Sequence, residues 1–555
     1  MLESPDASLR PPPPALTPIA VLATAACADT DPPVAPVAES ATAVVQTDLR
    51  PDRGTIDDRW AAISQGEVPG FAGLWYDDTT GEIVVAATRA DSRSAASGLA
   101  SRSSAARDFP DAPVRFEVVS YDFLQLRTWK TAARALLRLP DVLYIDADEV
   151  RNRLVLGVSR SAETSQIREQ TRALEIPDAG VEFVITSPSG FNGGSLNSPA
   201  ATETGASPRS SSLTDKVRPT QGGLEIRSSR AACTLGFNAL LAGEGDDPYF
   251  ATASHCSADQ FDPDTGIFRQ DENGTRVGRE SHDLVPQTGT FSFNGESHDC
   301  TSTPCRFSDV SLVAYDDTID GGDVDLGQIA FTAENSTTIS GDRSVTAKRH
   351  LSTLYIGLKV EMVGKETGRT KGDITSTCVD WPSDGPVTLD LLCQYRADYE
   401  SVDGDSGAPV YVLRPNGTVS LIGVHSANPD DSQFSTLAGI EEDLGVTLEV
   451  CIPSGCTASA PALDVEIGGL SEVQEYSSCL YTADATGGFP PYAYRWFIDG
   501  DSVLVGGAQE DLEIEDVEDQ NFLVEVRVID DMNATSWDDL AVDVSPTHPG
   551  CPPIL

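Results

Sequence analysis

Three short stretches of the chain carry a histidine, an aspartate and a serine in that order: Thr252-Ala253-Ser254-His255-Cys256, Ser308-Asp309-Val310-Ser311-Leu312-Val313 and Gly404-Asp405-Ser406-Gly407-Ala408-Pro409. Acyl transfer to a serine needs a hydroxyl, an imidazole to take its proton, and a buried carboxylate to hold the imidazole in one tautomer. Each stretch supplies one of those parts. Gly404 and Gly407 flank Ser406, and a residue without a side chain lets backbone N–H groups turn toward a substrate carbonyl. The amides of Gly404 and Ser406 are therefore the candidate oxyanion donors. Asp309 precedes an apolar run, which predicts a strand start with buried neighbours, where a carboxylate must find a donor such as the His255 ring.

The segments that must position these residues differ in composition along the chain. Residues 60–186 read as mixed α/β. Phe71-Ala72-Gly73-Leu74-Trp75-Tyr76-Asp77 and Glu82-Ile83-Val84-Val85-Ala86 bracket a Thr-Thr-Gly turn, which predicts a hairpin, and a second hairpin turns within residues 146–152. Helical stretches are expected over 128–139 and 162–174, where Ile167, Thr171 and Leu174 recur near helical spacing. Residues 187–221 are rich in Ser, Gly, Pro, Thr and Asn without periodicity, the composition of a flexible, cleavable linker. From 222 to 450 short β-rich runs alternate with Gly/Asp/Asn turns, the pattern of a closed antiparallel β architecture, with one helix expected over 435–444. After a linker at 451–457, residues 458–555 alternate apolar and polar side chains as a separate β-sandwich does. No repeat of 20–50 residues is evident in the chain.

The chain has 555 residues, a formal net charge of −48 and eleven cysteines. A polyanion of this strength is repelled by nucleic acid and anionic membranes, so neither is an expected partner. The cysteines avoid CxxC metal spacing and fall near plausible mates: Cys233 with Cys256, Cys300 with Cys305, Cys378 with Cys393, Cys451 with Cys456, and Cys479 with Cys551 across the last segment. Disulfides persist in oxidising compartments, which points to an exported protein. The apolar run 15–26 has signal-peptide length. Its end, Val21-Leu22-Ala23-Thr24-Ala25-Ala26-Cys27, resembles a bacterial lipoprotein cleavage site, so residues 1–27 read as an export or lipid signal and 28–59 as a tether. Plain secretion and attachment through a lipidated Cys27 both stay open.

Together Gly222-Gly223, Cys233-Thr234-Leu235-Gly236-Phe237-Asn238, the stretch 252–256 and the stretch 404–409 resemble the chymotrypsin-like serine peptidases, in their streptogrisin and α-lytic branch. The resemblance implies a double antiparallel β-barrel over 222–450, His255 as general base, Asp309 as its orienting carboxylate and Ser406 as nucleophile, and it asks for no cofactor and no metal. Ser254 and Ala408 depart from the branch, which usually has Ala or Gly at the first position and Gly at the second. Trp75-Tyr76-Asp77, Tyr144-Ile145-Asp146 and Asn152-Arg153-Leu154-Val155 resemble the pro-region of the same branch, implying that 60–186 is an α+β pro-domain, a folding assistant and inhibitor removed by cleavage in the linker. Residues 487–496 and 524–531 resemble bacterial immunoglobulin-like or PKD modules, whose ligand here is open.

The run Leu421-Ile422-Gly423-Val424-His425-Ser426-Ala427 is expected to form a wall of the primary specificity pocket. His425 favours an acidic side chain, since glutamate-specific relatives place a histidine there and an imidazole can donate to a carboxylate. Asp403 at the pocket mouth and Glu400 toward its base favour Lys or Arg instead, and an apolar or mixed pocket is the third reading. The acidic run 316–325 lacks full calcium-loop spacing and reads as a solvated turn. The expectation is thus a multidomain, mostly β, exported serine endopeptidase acting on proteins or peptides and made with its own inhibitory pro-region. The rival class is a surface adhesion protein that keeps a protease-like scaffold for binding.

Overall fold

The computed structural model describes residues 54–547, apart from 102, 189–210, 243–244, 262–265, 271–273, 294–295, 317–322, 350, 384–387, 428–429, 452–463, 478, 487–491, 500, 506–510, 515–520 and 530–534. The expected signal, Cys27, most of the linker and of the acidic run, Cys456 and Cys551 lie outside the described residues. The protein is multidomain and mostly β.

The N-terminal segment begins with helix Ile56–Gln65, closed by a reciprocal cap in which Asp58 N donates to Thr55 Oγ1 at 3.3 Å and Thr55 N to Asp58 Oδ2 at 2.7 Å. Both expected hairpins form: Phe71–Asp77 with Glu82–Ala87, and Val142–Asp148 with Arg153–Val158. Each is followed by a helix, Arg93–Ser101 or Thr164–Ala173, and then a strand parallel to the hairpin's second arm, Val114–Val118 or Val181–Ile185. The segment therefore contains two copies of one ββαβ unit, a repeat of topology rather than of sequence, with further helices such as Ile56–Gln65 before the first. The helix expected over 128–139 instead runs Phe123–Ala133 and tightens into a 3-10 turn, Arg134–Arg138, because Asp122 caps it by accepting from Gln125 N at 2.9 Å.

The β-rich segment contains two sheets. In one, strand Tyr249–Ala253 lies between Phe237–Leu241 and Val310–Tyr315, and Ala253 pairs with Val310. In the other, Pro409–Leu413 lies between Lys359–Gly364 and Val419–Ala427, which continues to Ser432–Thr436 and Leu389–Ala397. The expected helix is Leu437–Leu444, capped by the Thr436 side chain and ended by Gly445 at φ +65°. Near the C-terminus two further sheets close over one core containing Tyr481, Trp496, Val524 and Val526.

The linker separates the N-terminal and β-rich segments along the chain, yet they share a core. Phe71, Phe123 and Leu156 belong to the same buried cluster as Phe307, Met362 and Phe434. Strand Val142–Asp148 also adds to the long strand Gly368–Ser383 through the Asp380–Ile145 pair, with Tyr144 against Trp381 at 5.1 Å between rings. Among the described residues no helix is long and apolar enough to cross a membrane.

Candidate active site

His255 sits in the tight turn Ser254–Cys256 that ends strand Tyr249–Ala253, and Asp309 immediately precedes strand Val310–Tyr315. Because those strands are paired, the two side chains meet although 54 positions apart. The His255 Nδ1 and Asp309 Oδ2 atoms lie 2.5 Å apart, and His255 N donates to Asp309 Oδ1 at 3.2 Å. Both side chains are fully buried. Ser254 N donates to Asp309 O at 3.1 Å, and Asp309 N donates to Ser435 Oγ at 3.0 Å, whose hydroxyl donates to Gln394 Oε1 at 2.8 Å. An imidazole held this way presents its other nitrogen as a base.

Ser406 comes from the other sheet, in the loop before Pro409–Leu413. Its carbonyl accepts from Thr234 N at 2.8 Å, which fastens the serine loop to the strand that carries Cys233, and Cys233 is bonded to Cys256 with the Cα atoms 6.2 Å apart. The disulfide thereby ties the histidine turn to the serine loop's support. Ser406 Oγ makes a long hydrogen bond, 3.4 Å, to the Ser426 carbonyl, which costs little to surrender. Gly404 and Gly407 both hold left-handed backbones, at φ +108° and +91°. A Cβ at Gly407 would overlap the Thr234 carbonyl oxygen and the Thr252 hydroxyl. No hydrogen bond among the described residues occupies the N–H of Gly404 or of Ser406. Asp405 supports the loop from below, accepting from Glu366 N at 2.9 Å, Val402 N at 3.0 Å and Thr367 Oγ1 at 2.9 Å, while its burial raises its pKa.

The expected pocket residues divide. His425 and Ser426 are buried on strand Val419–Ala427. Tyr399 OH lies 3.1 Å from His425 Nδ1, the Gln433 main chain supplies a second hydrogen bond, and burial together with the neighbouring His255 pushes the His425 imidazole down to about 3. His425 is thus a neutral, internally bonded ring. Ala427 is buried beside it, whereas Glu400 and Asp403 are exposed on the loop before Ser406. Cys233, His255 and Cys256 bring donor atoms within 4.8 Å of one another, but the two sulfurs are bonded to each other and offer no thiolate to a metal.

The pairs Cys300–Cys305 and Cys378–Cys393 form as spaced in the sequence, and Cys451 and Cys479 are also disulfide-bonded. Residues that sequence reasoning missed include Ser435, Gln394 and Tyr399. Nothing local distinguishes Gln394 and Ser435 from ordinary strand residues or Tyr399 from an ordinary loop residue.

No protein-family model and no curated protein matches the chain. Among solved structures, the CARDB domain of the PF1109 protein from Pyrococcus furiosus is similar at 19% identity over 16% of this chain and 90% of that one, with a TM-score of 0.13. The extracellular domain of the putative one-component system BT4673 from B. thetaiotaomicron is similar at 8% identity over 61% of this chain and 58% of that one, again with a TM-score of 0.13.

Proposed function

We propose that the protein is an exported serine endopeptidase, with the two sheets of the β-rich segment as a chymotrypsin-like pair of barrels. The observation that carries this reading is the fully buried His255–Asp309 couple, 2.5 Å between Nδ1 and Oδ2, in a turn whose Cys256 Sγ lies 4.0 Å from the Ser406 carbonyl oxygen of a loop with left-handed glycines on both sides of the serine. In the proposed reaction His255 takes the Ser406 proton as Oγ attacks the scissile carbonyl. The carbonyl oxygen, now an anion, accepts from the Gly404 and Ser406 amides. The imidazolium then protonates the leaving amine, and water reverses the sequence to free the acid and the enzyme.

The acidic primary preference rests on His425, which directly precedes Ser426 on strand Val419–Ala427 and lies 3.1 Å from Tyr399 OH through its Nδ1. The basic alternative loses weight because Glu400 and Asp403 are exposed, where water and salt screen their charge. The N-terminal segment fits a pro-region through its shared core with the β-rich segment, its added strand, and its end: Thr186 Oγ1 and Ser187 N donate to Asp430 Oδ2 at 2.7 and 2.9 Å, just past the specificity strand. The disulfides favour an oxidising destination.

A serine-reactive fluorophosphonate, followed by mass spectrometry of a digested peptide library, tests the proposal on the linker-cleaved protein beside a Ser406→Ala variant. Labelling and cleavage by the parent alone support it, and the residue before each cut reports the pocket. If neither protein labels or cleaves, the adhesion-scaffold reading takes its place.

A further inference from the structure

Arg306, the last residue of strand Glu296–Arg306, is fully buried and is an electrostatic neighbour of Asp309. Its guanidinium lies between two buried carboxylates and over the Phe261 ring at 4.8 Å. Nη1 donates to Asp283 Oδ1 at 2.6 Å and to the Leu284 carbonyl at 2.9 Å, Nη2 donates to the Val310 carbonyl at 3.0 Å, and Nε reaches Asp443 Oδ2 at 3.5 Å. Asp443, on helix Leu437–Leu444, also accepts from Phe307 N at 3.0 Å and Ser308 Oγ at 2.7 Å. Both flanks of Asp309 are therefore fastened to one cation and its counter-ion. The other oxygen of Asp283 accepts from Ser254 Oγ at 2.7 Å and from Phe261 N at 3.0 Å. Ser254 directly precedes His255 and is itself buried.

One continuous chain of hydrogen bonds thus runs from the histidine turn, through Ser254, Asp283 and Arg306, to both sides of the aspartate. Burying three ions is expensive, and apolar side chains of similar volume would hold a core at least as well. What ions add is direction: the bonds to Ser254 Oγ, Phe307 N, Ser308 Oγ and the Val310 carbonyl each fix one atom beside His255 or Asp309. The titratable groups around the couple are the charged Asp283 from the loop after strand Thr275–His282, Arg306 and Asp443, with the neutral His425 ring from strand Val419–Ala427.

We propose that Ser254, Asp283, Arg306 and Asp443 are positioning residues that lock His255 and Asp309 into their hydrogen-bonded geometry. The inference rests on the serine-peptidase reading and deepens it. It also gives a role to Ser254, a departure from the branch's usual Ala or Gly that sequence alone left without one.

Two variants of the full chain, cleaved in its linker, test this. Ser254→Ala deletes one hydroxyl. Asp283→Asn keeps an acceptor for Ser254 and removes a charge. Ser254→Ala is expected to lower kcat about 10- to 100-fold, as small misplacements of catalytic groups do, with KM and melting temperature held. Asp283→Asn is expected to move the acid limb of the kcat/KM profile to lower pH, because deleting a buried negative charge makes the imidazolium harder to form. The far-downfield proton resonance of the His255–Asp309 hydrogen bond is expected to shift in both. Unchanged kcat and an unmoved resonance overturn the inference, and so does a kcat loss that only follows a fall in melting temperature. If the parent shows the resonance but does not react with a fluorophosphonate, the peptidase reading falls, and the response of the resonance to Ser254→Ala still decides the positioning role.

Discussion

The Asp309 carboxylate accepts from both the ring and the backbone of His255, so one side chain sets both the orientation and the tautomer of the imidazole. Asp309→Asn keeps the shape but presents an amide to Nδ1, and under the proposed chemistry kcat is expected to fall about 10⁴-fold with KM little changed, as steady-state kinetics would register. His425 makes a separate prediction. Its imidazole lies at about 3, below its ordinary 6.5, because burial and the His255 ring disfavour the charged form. A base depressed in the folded state stays neutral there but takes a proton when unfolded. Its contribution to stability is therefore whole above about 6.5 and is lost as pH falls toward 3. Chemical denaturation at a series of pH values should show that loss in the parent and a flatter curve in His425→Gln.

At the scale of elements, close backbone approach decides what each position tolerates. Gly407 sits where a Cβ would overlap the Thr234 carbonyl oxygen, a backbone atom that cannot swing aside, and its φ is +91°. Gly407→Ala is expected to cost about 3 kcal/mol from backbone strain alone and to lower the melting temperature measurably. Gly157 offers a second probe, on strand Arg153–Val158, since a Cβ there would enter the Tyr144 ring. Tyr144 packs on Trp381 across the added strand, with Arg396 over the Tyr144 ring at 5.0 Å. Gly157→Ala should therefore loosen the N-terminal segment's grip. Size-exclusion chromatography after linker cleavage should find more of that segment separated from the β-rich segment than in the parent. The hairpins and the helix after Thr436 were legible in the sequence because turn residues and caps act over a few positions. The added strand was not, because Val142–Asp148 looks the same in sequence whether its open edge faces water or Gly368–Ser383.

Over the whole molecule, charge modulates the cohesion that the shared apolar core gives the N-terminal and β-rich segments. Lys130 Nζ donates to Asp57 Oδ2 at 2.7 Å and lies 3.6 Å from Asp380 Oδ1 across the junction, while Arg138 pairs with Asp390. These cations do not offset every buried carboxylate. Burial raises Asp57 and Asp390 to about 6, against the pull of Lys130 on the first and of Arg138 and Arg134 on the second. It raises Asp146 and Glu149 further, with neighbouring carboxylates adding to the effect. A carboxyl whose pKa is raised in the packed state favours packing while protonated, so that part of the cohesion is full below about 4 and is lost as pH rises through about 6. After linker cleavage the N-terminal segment should separate more readily at pH 8 than at pH 5, and Asp57→Asn with Asp390→Asn should weaken the dependence. Equal separation of the parent at both values would exclude this account.

The sequence alone determined the order of histidine, aspartate and serine, the mates Cys233–Cys256, Cys300–Cys305 and Cys378–Cys393, and the glycines beside Ser406, because each is a matter of residue type at short range. Only the tertiary structure decided which side chains meet. Arg306 and Asp443 lie 137 positions apart, and Lys130 donates to a carbonyl 248 positions away. At such separations a buried charge and a solvated one look alike in sequence, and they differ only once folding has removed the water around one of them.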